Sequence, residues 1–573
     1  MKKSFAMVIR RRMHFVFFFF LLAYGALLGR LFLLQIVHHQ DYLRLAAKQH
    51  ELVKEIYPER GIIFAQDKNH ALIPLALNRT YTTVAVSPRD VKDREAVARA
   101  LQESLSVRQE EIMERLSLED DPYEIVAKKV EAEVIEKLKV QKWEGVFFEE
   151  EKHRVYPHGS LAANLLGFVR REGDKEDGQY GIERRYQEDL LGEKGFFEGA
   201  KDAAGFWIAL GKRIIRPPKN GSSIVLTIEY NIQVKAEEVL TQLQERWGAE
   251  GGTVVVVEPQ SGRILAEAVS PRFDPNAFGK EKNFSVFLNP LVESMYELGS
   301  VMKPFVIAAG IGEKRISKDS LYHDPGEFRI GGYTLKNFDG KSYGTQTMTQ
   351  VLEKSLNTGA VYVARLIGKE TQRHFLEQFG FGEKTGIDLP GEVSGDLSNL
   401  KNERDIDFAT ASFGQGIAVT PIQLAVAMGV FANHGRLMKP YVVEKIMSDS
   451  GNEITRAPEV RREVVSRETA EEVTKMLISA VRNGFENKAG VKGYFIAGKT
   501  GTAQVPRKDG RGYSDKVIHT FAGYAPAFDP RFLIVLQLNE PKGNRFAANT
   551  LTPAFHDLAE FILNYYEIPP DEK

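Results

Sequence analysis

Residues 493–503 read "GYFIAGKTGTA", and two incompatible folds can be built on them. Gly493, Gly498, Lys499 and Thr500 satisfy G-x-x-x-x-G-K-[ST], the phosphate-cradling loop of a nucleotide-binding domain. Lys499, Thr500 and Gly501 also spell K-T-G, a triplet of serine acyl-transfer sites. A phosphate loop needs a buried strand before its first glycine and a helix starting at its lysine. Here the preceding stretch, "NGFENKAGVK" (483–492), is polar and turn-rich, while the loop interior "YFIA" is apolar and strand-like. "TGTAQVP" then follows Lys499, with Pro506 a poor companion for a new helix. The "VVVVE" beginning at Val254 imitates the second strand of a nucleotide site, but "EPQSG" turns it into one arm of a hairpin. Lys499 is therefore expected on a strand, with its ammonium over a cleft.

An acyl-transfer site needs a nucleophile, a base and donors where negative charge develops. "ELGSVMKPFVIAAGIG" (297–312) places Ser300 and Lys303 three residues apart, on one face if helical. Gly299 marks a turn before them, and Pro304 is tolerated only in a first helical turn. That puts Ser300 at a helix N-terminus, where the dipole favours an oxyanion. A lysine desolvated there beside another cation can be neutral enough to accept the serine proton. Ser355 and Asn357 form a Ser-x-Asn leading a second apolar run, "TGAVYVARLIG". Each motif has a duplicate: Ser398–Lys401, Lys384–Gly386 and Ser450–Asn452. All three duplicates sit in polar stretches that read as exposed turns, and "EKSLN" matches a further Glu-x-x-Leu-Asn pattern only by overlap.

Around these motifs the chain alternates helical and strand-like patterns. "NIQVKAEEVLTQLQERWG" has helical amphipathic spacing; "GGTVVVVEPQSGRILAEAV" and "HTFAGYAPAFDPRFLIVLQL" read as hairpins. Helix-strand-strand at one end and strand-strand-helix at the other predict an α+β domain, an antiparallel sheet covered by helices. "RPPKNGSSIVLTI", from Arg216, reads as a linker and turn entering that domain. Before it, residues 57–224 mix β-like runs ("TYTTVAVSP") with charged helices ("AEVIEKLKV") and hold few residues arranged for chemistry. They read as a pedestal or interaction domain.

The chain of 573 residues is long enough for two to four domains, and 43% hydrophobic with 27% charged residues is ordinary globular composition. A formal net charge of −1 offers no global basic field for nucleic acid. Twelve histidines and no cysteine exclude thiolate metal sites, thiol catalysis and disulfides. Lys2, Lys3, Arg10, Arg11 and Arg12 precede "FVFFFFLLAYGALLGRLFLLQIV", Phe15 to Val37. As a helix this run is about 34 Å long, enough to cross a bilayer, and it shows no cleavage site of a signal peptide. Its one charge, Arg30, reads first as a snorkelling side chain and second as a contact for a partner helix. The basic flank predicts a cytoplasmic tail (1–14), a single span (15–37) and everything beyond it outside the cytoplasm. The next stretch, "HHQDYLRLAAKQHELVKEI" (38–56), has the spacing of a helical stalk.

Ser300, Ser355-x-Asn357 and Lys499-Thr500-Gly501, in that order, resemble the site of penicillin-binding transpeptidases. "GRILAEAVSPRFDPNAF", "FATASFGQGIAVTPIQLAVA" and "AGKTGTAQ" are similar to class B members of that family. "PERGII", "RVYPHGSLAANLLGFV" and "YGIERRYQEDLLGEKG" are similar to their non-catalytic domain. Two departures stand out. Leu298 replaces the usual proline of Glu-Pro-Gly-Ser, and "IIFAQDKNH" replaces the usual Asp-Arg-Asn-Gly string after Arg60-Gly61.

The resemblance implies a membrane anchor, an elongated pedestal (38–224) and a transpeptidase domain (225–573) with a serine β-lactamase-like fold. It implies that Ser300 attacks a D-Ala carbonyl of a peptidoglycan stem peptide and that Lys303 is its base. Ser355 and Asn357 would relay the proton and position the peptide. Lys499, Thr500 and Thr502 would hold the substrate carboxylate, with Gly501 between them, and backbone N–H groups of Ser300 and Thr502 would form the oxyanion hole. No metal or organic cofactor is implied. β-Lactams would acylate Ser300. The resemblance favours the septal, division-specific branch over the elongation branch, with a polytopic glycosyltransferase and other division proteins as partners. A β-lactamase and a β-lactam sensor or inactive scaffold are the alternatives; loss of Lys303, Asn357 or Lys499 would mark the latter, and all three are present.

Overall fold

The computed structural model describes residues 2–38, 51–118, 121–172, 175–200, 213–484, 487–507 and 512–572. The chain divides into two compact units, residues 1–59 with 192–220, and residues 60–191 with 221–573.

In the first unit, helix α1 (Lys2–Phe32) continues through a π-helical turn at Leu33–Val37. Met13–Ile36 is long and apolar enough to cross a membrane, in agreement with the expected span. Most of the expected stalk helix lies outside the described residues. Its last six residues correct that expectation: Glu51–Ile56 is a strand, paired antiparallel with Gly195–Ala200, which in turn pairs with Arg213–Arg216. Long-range ladder bonds override a helical spacing there, since hydrogen bonds to a neighbouring strand are not visible in local pattern.

The second unit is built on two sheets. One runs Glu453–Thr455, Val443–Met447, Ser223–Glu229, Ile63–Gln66, Leu72–Val86 and Glu124–Val130, with Val146–Val155 also on Leu72–Val86. Ser223–Glu229 lies parallel to Ile63–Gln66, so one sheet joins the early and late halves of the sequence. Beside this join, Arg60 of "PERGII" and Arg154 of "RVYP" both grip Glu183 of "YGIERR", at 2.6 and 2.7 Å. Tyr156 donates its hydroxyl to the same carboxylate at 3.1 Å, and all four side chains are buried.

The other sheet has five antiparallel strands: β1 (Gly251–Glu258), β2 (Arg263–Ser270), β3 (Ala497–Pro506), β4 (Tyr513–Ala525) and β5 (Phe532–Asn539), in the order β2-β1-β5-β4-β3. Both predicted hairpins, β1–β2 and β4–β5, are present. Helices α2 (Tyr230–Trp247) and a long C-terminal helix (Ala547–Tyr565) cover one face. On the other side α3 (Lys303–Gly312) and α4 (Asn357–Ile367) pack on each other, and α5 (Pro421–Ala432) and α6 (Arg467–Ser479) lie against the sheet, with α3 on α6; the C-terminal helix is α7. α5 is apolar all round because it is the core: every residue but Gly429 is buried, and it packs on β1, β4, β5 and α6. Its start is set by Pro421 at the first turn and a capping box between Thr420 and Gln423. This is the α+β arrangement expected from the sequence. One detail differs: the strand expected over "YFIA" begins only at Ala497. The Tyr494 hydroxyl bonds the Ile568 carbonyl and the Phe495 N–H bonds Asp571, so these residues hold the C-terminal tail instead of the sheet.

Candidate active site

Three pieces of chain meet at the edge strand β3. The first is a 3-10 turn, Gly299–Met302, which leads into α3. In such a turn residues i and i+3 eclipse one another, which brings Ser300 and Lys303 to one face as their spacing predicts. Pro304 sits in the first turn of α3, where its missing N–H removes no helical bond. Leu298 has φ −75° and ψ −27°, within the range a proline would impose, so the departure from Glu-Pro-Gly-Ser leaves the backbone of the turn unchanged.

β3 approaches this turn closely enough to explain its glycine. A Cβ on Gly501 would lie 2.4 Å from the Leu298 carbonyl oxygen and 2.8 Å from a Val301 methyl. The turn is clasped on its other side by Gly414 of "SFGQG". Gly299 N–H donates to the Gly414 carbonyl at 3.1 Å, and a Cβ on Gly414 would lie 2.2 Å from the Gly299 carbonyl. Gly414 has φ +78° as well, so both space and backbone conformation require glycine there. In sequence this loop stands out by resemblance alone; its part in the site rests on close approach, which spacing does not reveal.

The third piece carries Ser355, whose φ of +54° is left-handed and costs about 1 kcal/mol for a residue with a Cβ. Its placement is fixed from both sides. Thr358 donates its hydroxyl to the buried Asp324 at 2.6 Å and has a second contact to Asn337 at 2.9 Å. Asp324 also accepts from Asn337 Nδ2 and the N–H groups of Gly326 and Tyr343. Neither Asp324 nor Thr358 was singled out in the sequence; only the pairing of distant segments makes them part of the site.

Two lysines converge on Ser355. Lys303 Nζ donates to the Ser355 carbonyl at 2.5 Å and to its Oγ at 3.2 Å. Lys499 Nζ reaches the same Oγ at 3.1 Å and the Thr500 carbonyl at 3.2 Å. Both lysines are fully buried. Burial first, and the neighbouring Lys499 second, hold the Lys303 ammonium well below the usual lysine range. Burial brings Lys499 down to about 7. The Ser300 hydroxyl has no hydrogen-bond partner among the described residues, so it is neither capped nor tied to another side chain.

The remaining residues are placed less centrally. Asn357 begins α4, but its Nδ2 donates to the Lys336 carbonyl at 2.8 Å and not toward the lysines. Thr502 Oγ1 accepts the Ala547 N–H at 3.2 Å at the start of α7, and Thr500 shares that side of β3 by strand parity. Phe338 and Phe546, both exposed, meet edge to face at 5.6 Å close to these two contacts. The duplicate motifs do not come together: Lys384 is exposed in a loop, Ser398–Asn402 is a 3-10 turn with Leu400 buried, and Ser450 lies in the turn between two strands.

Residues 252–560 match the penicillin binding protein transpeptidase domain family, and residues 55–226 match the penicillin-binding protein dimerisation domain family. The chain is 31% identical to Stage V sporulation protein D of Bacillus subtilis, over 95% of its own length and 84% of that protein's. It is 29% identical to peptidoglycan D,D-transpeptidase FtsI of Escherichia coli, over 96% and 91%. Penicillin binding protein 2X of Streptococcus thermophilus shares the fold, with a TM-score of 0.78 at 23% identity over 90% of this chain and 81% of that one.

Proposed function

This chain belongs to the class B penicillin-binding proteins and is a peptidoglycan D,D-transpeptidase, and from that premise we infer that Ser300 is the nucleophile that carries the acyl group. Two buried lysines sharing the Ser355 hydroxyl beside the Ser300 turn are the observation that supports this assignment.

In this reading Lys303, its pKa lowered by burial and then by Lys499, takes the Ser300 proton as Oγ attacks the penultimate D-Ala carbonyl of a stem peptide. Backbone N–H groups of Ser300 and Thr502 stabilise the oxyanion, each worth roughly 3 kcal/mol of barrier. Collapse of the tetrahedral adduct expels the terminal D-Ala, whose nitrogen takes its proton through Ser355. An amine of a neighbouring stem then attacks the acyl-Ser300 ester, the serine oxygen regains its proton, and a cross-link remains. Lys499 meets the substrate carboxylate with Thr500 and Thr502. An arriving anion raises its depressed pKa again, so charge appears where the ligand needs it. Asn357 turns from Lys336 to the peptide. A β-lactam follows the first half of this path and stays on Ser300.

The catalytic domain comprises residues 225–573 and the pedestal 38–224, with α1 as a membrane anchor whose basic N-terminus is cytoplasmic. "DFATASFGQGIAVTP" and "HTFAGYAPAFDPRF" favour a division role, with a polytopic glycosyltransferase as partner; depletion would then give filaments, and rounded cells would place the enzyme in elongation instead.

The deciding experiment is intact mass of the detergent-solubilised chain after exposure to a β-lactam, wild type against Ser300→Ala. One stable adduct in wild type only is the expected result. Rapid loss of the adduct would mean a β-lactamase, and an adduct on both proteins would remove Ser300 from its role.

A further inference from the structure

Glu297, three residues before Ser300 and just ahead of its turn, has a side chain that reaches two other parts of the cleft wall. Its Oε1 accepts the Gly416 N–H at 3.1 Å, from the "SFGQG" loop that also clasps Gly299 through Gly414. The Tyr513 hydroxyl, at the start of β4, donates to both carboxyl oxygens, at 3.1 and 3.0 Å. Tyr513 opposes Pro506 beside the connection of the β3–β4 hairpin, whereas Lys499–Thr502 lie further from it, paired with His519–Ala522. One carboxyl therefore ties the turn bearing Ser300 to the loop on one side of it and to the hairpin on the other. Burial pushes this carboxyl up to about 7, against the pull of Gly416 and Tyr513, so it is a costly group to keep in this place. Tyr513 is shifted upward too, chiefly by burial and then by Glu297 itself.

The turn's other restraints are backbone and apolar ones: Tyr296 pairs with Val419, Gly299 donates to Gly414, and Val301 and Met302 are buried. Leu298 provides an apolar anchor but, unlike proline, leaves φ free in the unfolded chain and during fluctuations. Ser300 has no side-chain partner among the described residues, so its Oγ is aimed by the backbone alone. Whatever fixes that backbone against β3 fixes the attack geometry relative to the Thr502 N–H.

We propose that Glu297 is a positioning residue for acylation: by holding Gly416 and Tyr513 together it sets the Ser300 turn against β3, and its loss slows acyl transfer without weakening ligand capture. This rests on Ser300 being the nucleophile. A misplacement of about 1 Å at a reacting atom costs up to about a hundredfold in rate.

The test uses the full-length chain in detergent and stopped-flow acylation by a fluorescent penicillin, resolved into the dissociation constant for capture and the first-order acylation rate. Wild type, E297A, E297Q, Y513F and S300A are compared, each with its thermal midpoint. E297A is expected to lose between about tenfold and a hundredfold in acylation rate, with capture changed less than about threefold. E297Q, whose amide oxygen can accept from both Gly416 and Tyr513, should recover most of that rate. Y513F should fall between them, and it keeps the proposal testable if E297A does not fold. Wild-type rates in E297A and Y513F, a loss confined to capture, or an E297Q as slow as E297A would overturn it. Failure of the wild type to acylate, or acylation of S300A, would instead remove the nucleophile assignment.

Discussion

Lys303 and Lys499 point their ammonium groups at one oxygen, the Ser355 hydroxyl, from 3.2 and 3.1 Å. Two cations cannot share a buried acceptor at full charge without cost, and both are shifted toward the neutral amine. The site thus stores instability in the form of undercharged lysines.

That cost is measurable. Lys499 has a folded pKa of about 7 against an ordinary value near 10.5, so the unfolded chain binds the extra proton between those values. Stability from this group is present above about pH 10.5 and is lost as pH falls toward 7. Lys499→Met should therefore abolish acylation yet raise the unfolding free energy at pH 7 by about 2–4 kcal/mol, with the gain shrinking toward pH 10. Denaturation midpoints of both proteins across that range check it; a gain independent of pH would show that the lysine is not held neutral.

Gly501 is a matter of space. An alanine there would drive its Cβ to 2.4 Å from the Leu298 carbonyl, which belongs to backbone and cannot swing aside. Gly501→Ala should push β3 from the Ser300 turn, lowering stability by about 1–3 kcal/mol and acylation by about a hundredfold. Fluorescent-penicillin labelling at matched folded concentration separates the two effects; unchanged labelling would mean the strand and turn need not touch.

The Arg60–Glu183–Arg154 cluster lies at the join of the early and late sequence halves. Burial by itself raises the Glu183 carboxyl, and the two guanidinium groups reverse this and hold it below its ordinary value. Arg60→Met leaves one arginine for a buried carboxylate and should cost about 3–5 kcal/mol. Protein that does fold should be acylated at the wild-type rate, since none of these groups contacts Ser300, Lys303 or Lys499. A parallel loss of acylation rate in folded protein would show that the cluster acts on the site.

Much of this architecture could be read from residue pattern. The K-T-G lies on a strand, Ser300 leads through a 3-10 turn into an apolar helix and both hairpins form because local turn chemistry and periodicity agree with the final fold. What stayed hidden depends on segments far apart in sequence. Glu183 finds Arg60 across 123 positions, Thr358 finds Asp324 across 34, and Tyr513 finds Glu297 across 216. No periodicity marks such partners. Glu51–Ile56 was lost to a helix for the same reason, because its ladder partner is Gly195–Ala200. Asn357 was assigned by its motif, whereas the direction of its amide, toward Lys336, is decided by a neighbouring hairpin.

Glu267 gives a test in which burial dominates, away from the catalytic groups. It lies on β2 at 2% exposure, and the Asn289 amide is near its carboxyl without good hydrogen-bond geometry. Desolvation raises its pKa to about 8 from an ordinary 4.5, against a smaller downward pull from Asn289. Folding therefore requires a neutral carboxyl, while the unfolded chain ionises it above pH 4.5. The stability this group contributes is complete below pH 4.5 and is lost progressively as pH rises to 8. Glu267→Gln mimics the protonated form at every pH. Its unfolding free energy should match wild type near pH 4.5 and exceed it by up to about 4 kcal/mol at pH 8. Acylation by a fluorescent penicillin should be unchanged. Denaturation midpoints at pH 5 and 8 decide the matter: an equal difference at both values would mean that Glu267 is ionised in the folded chain.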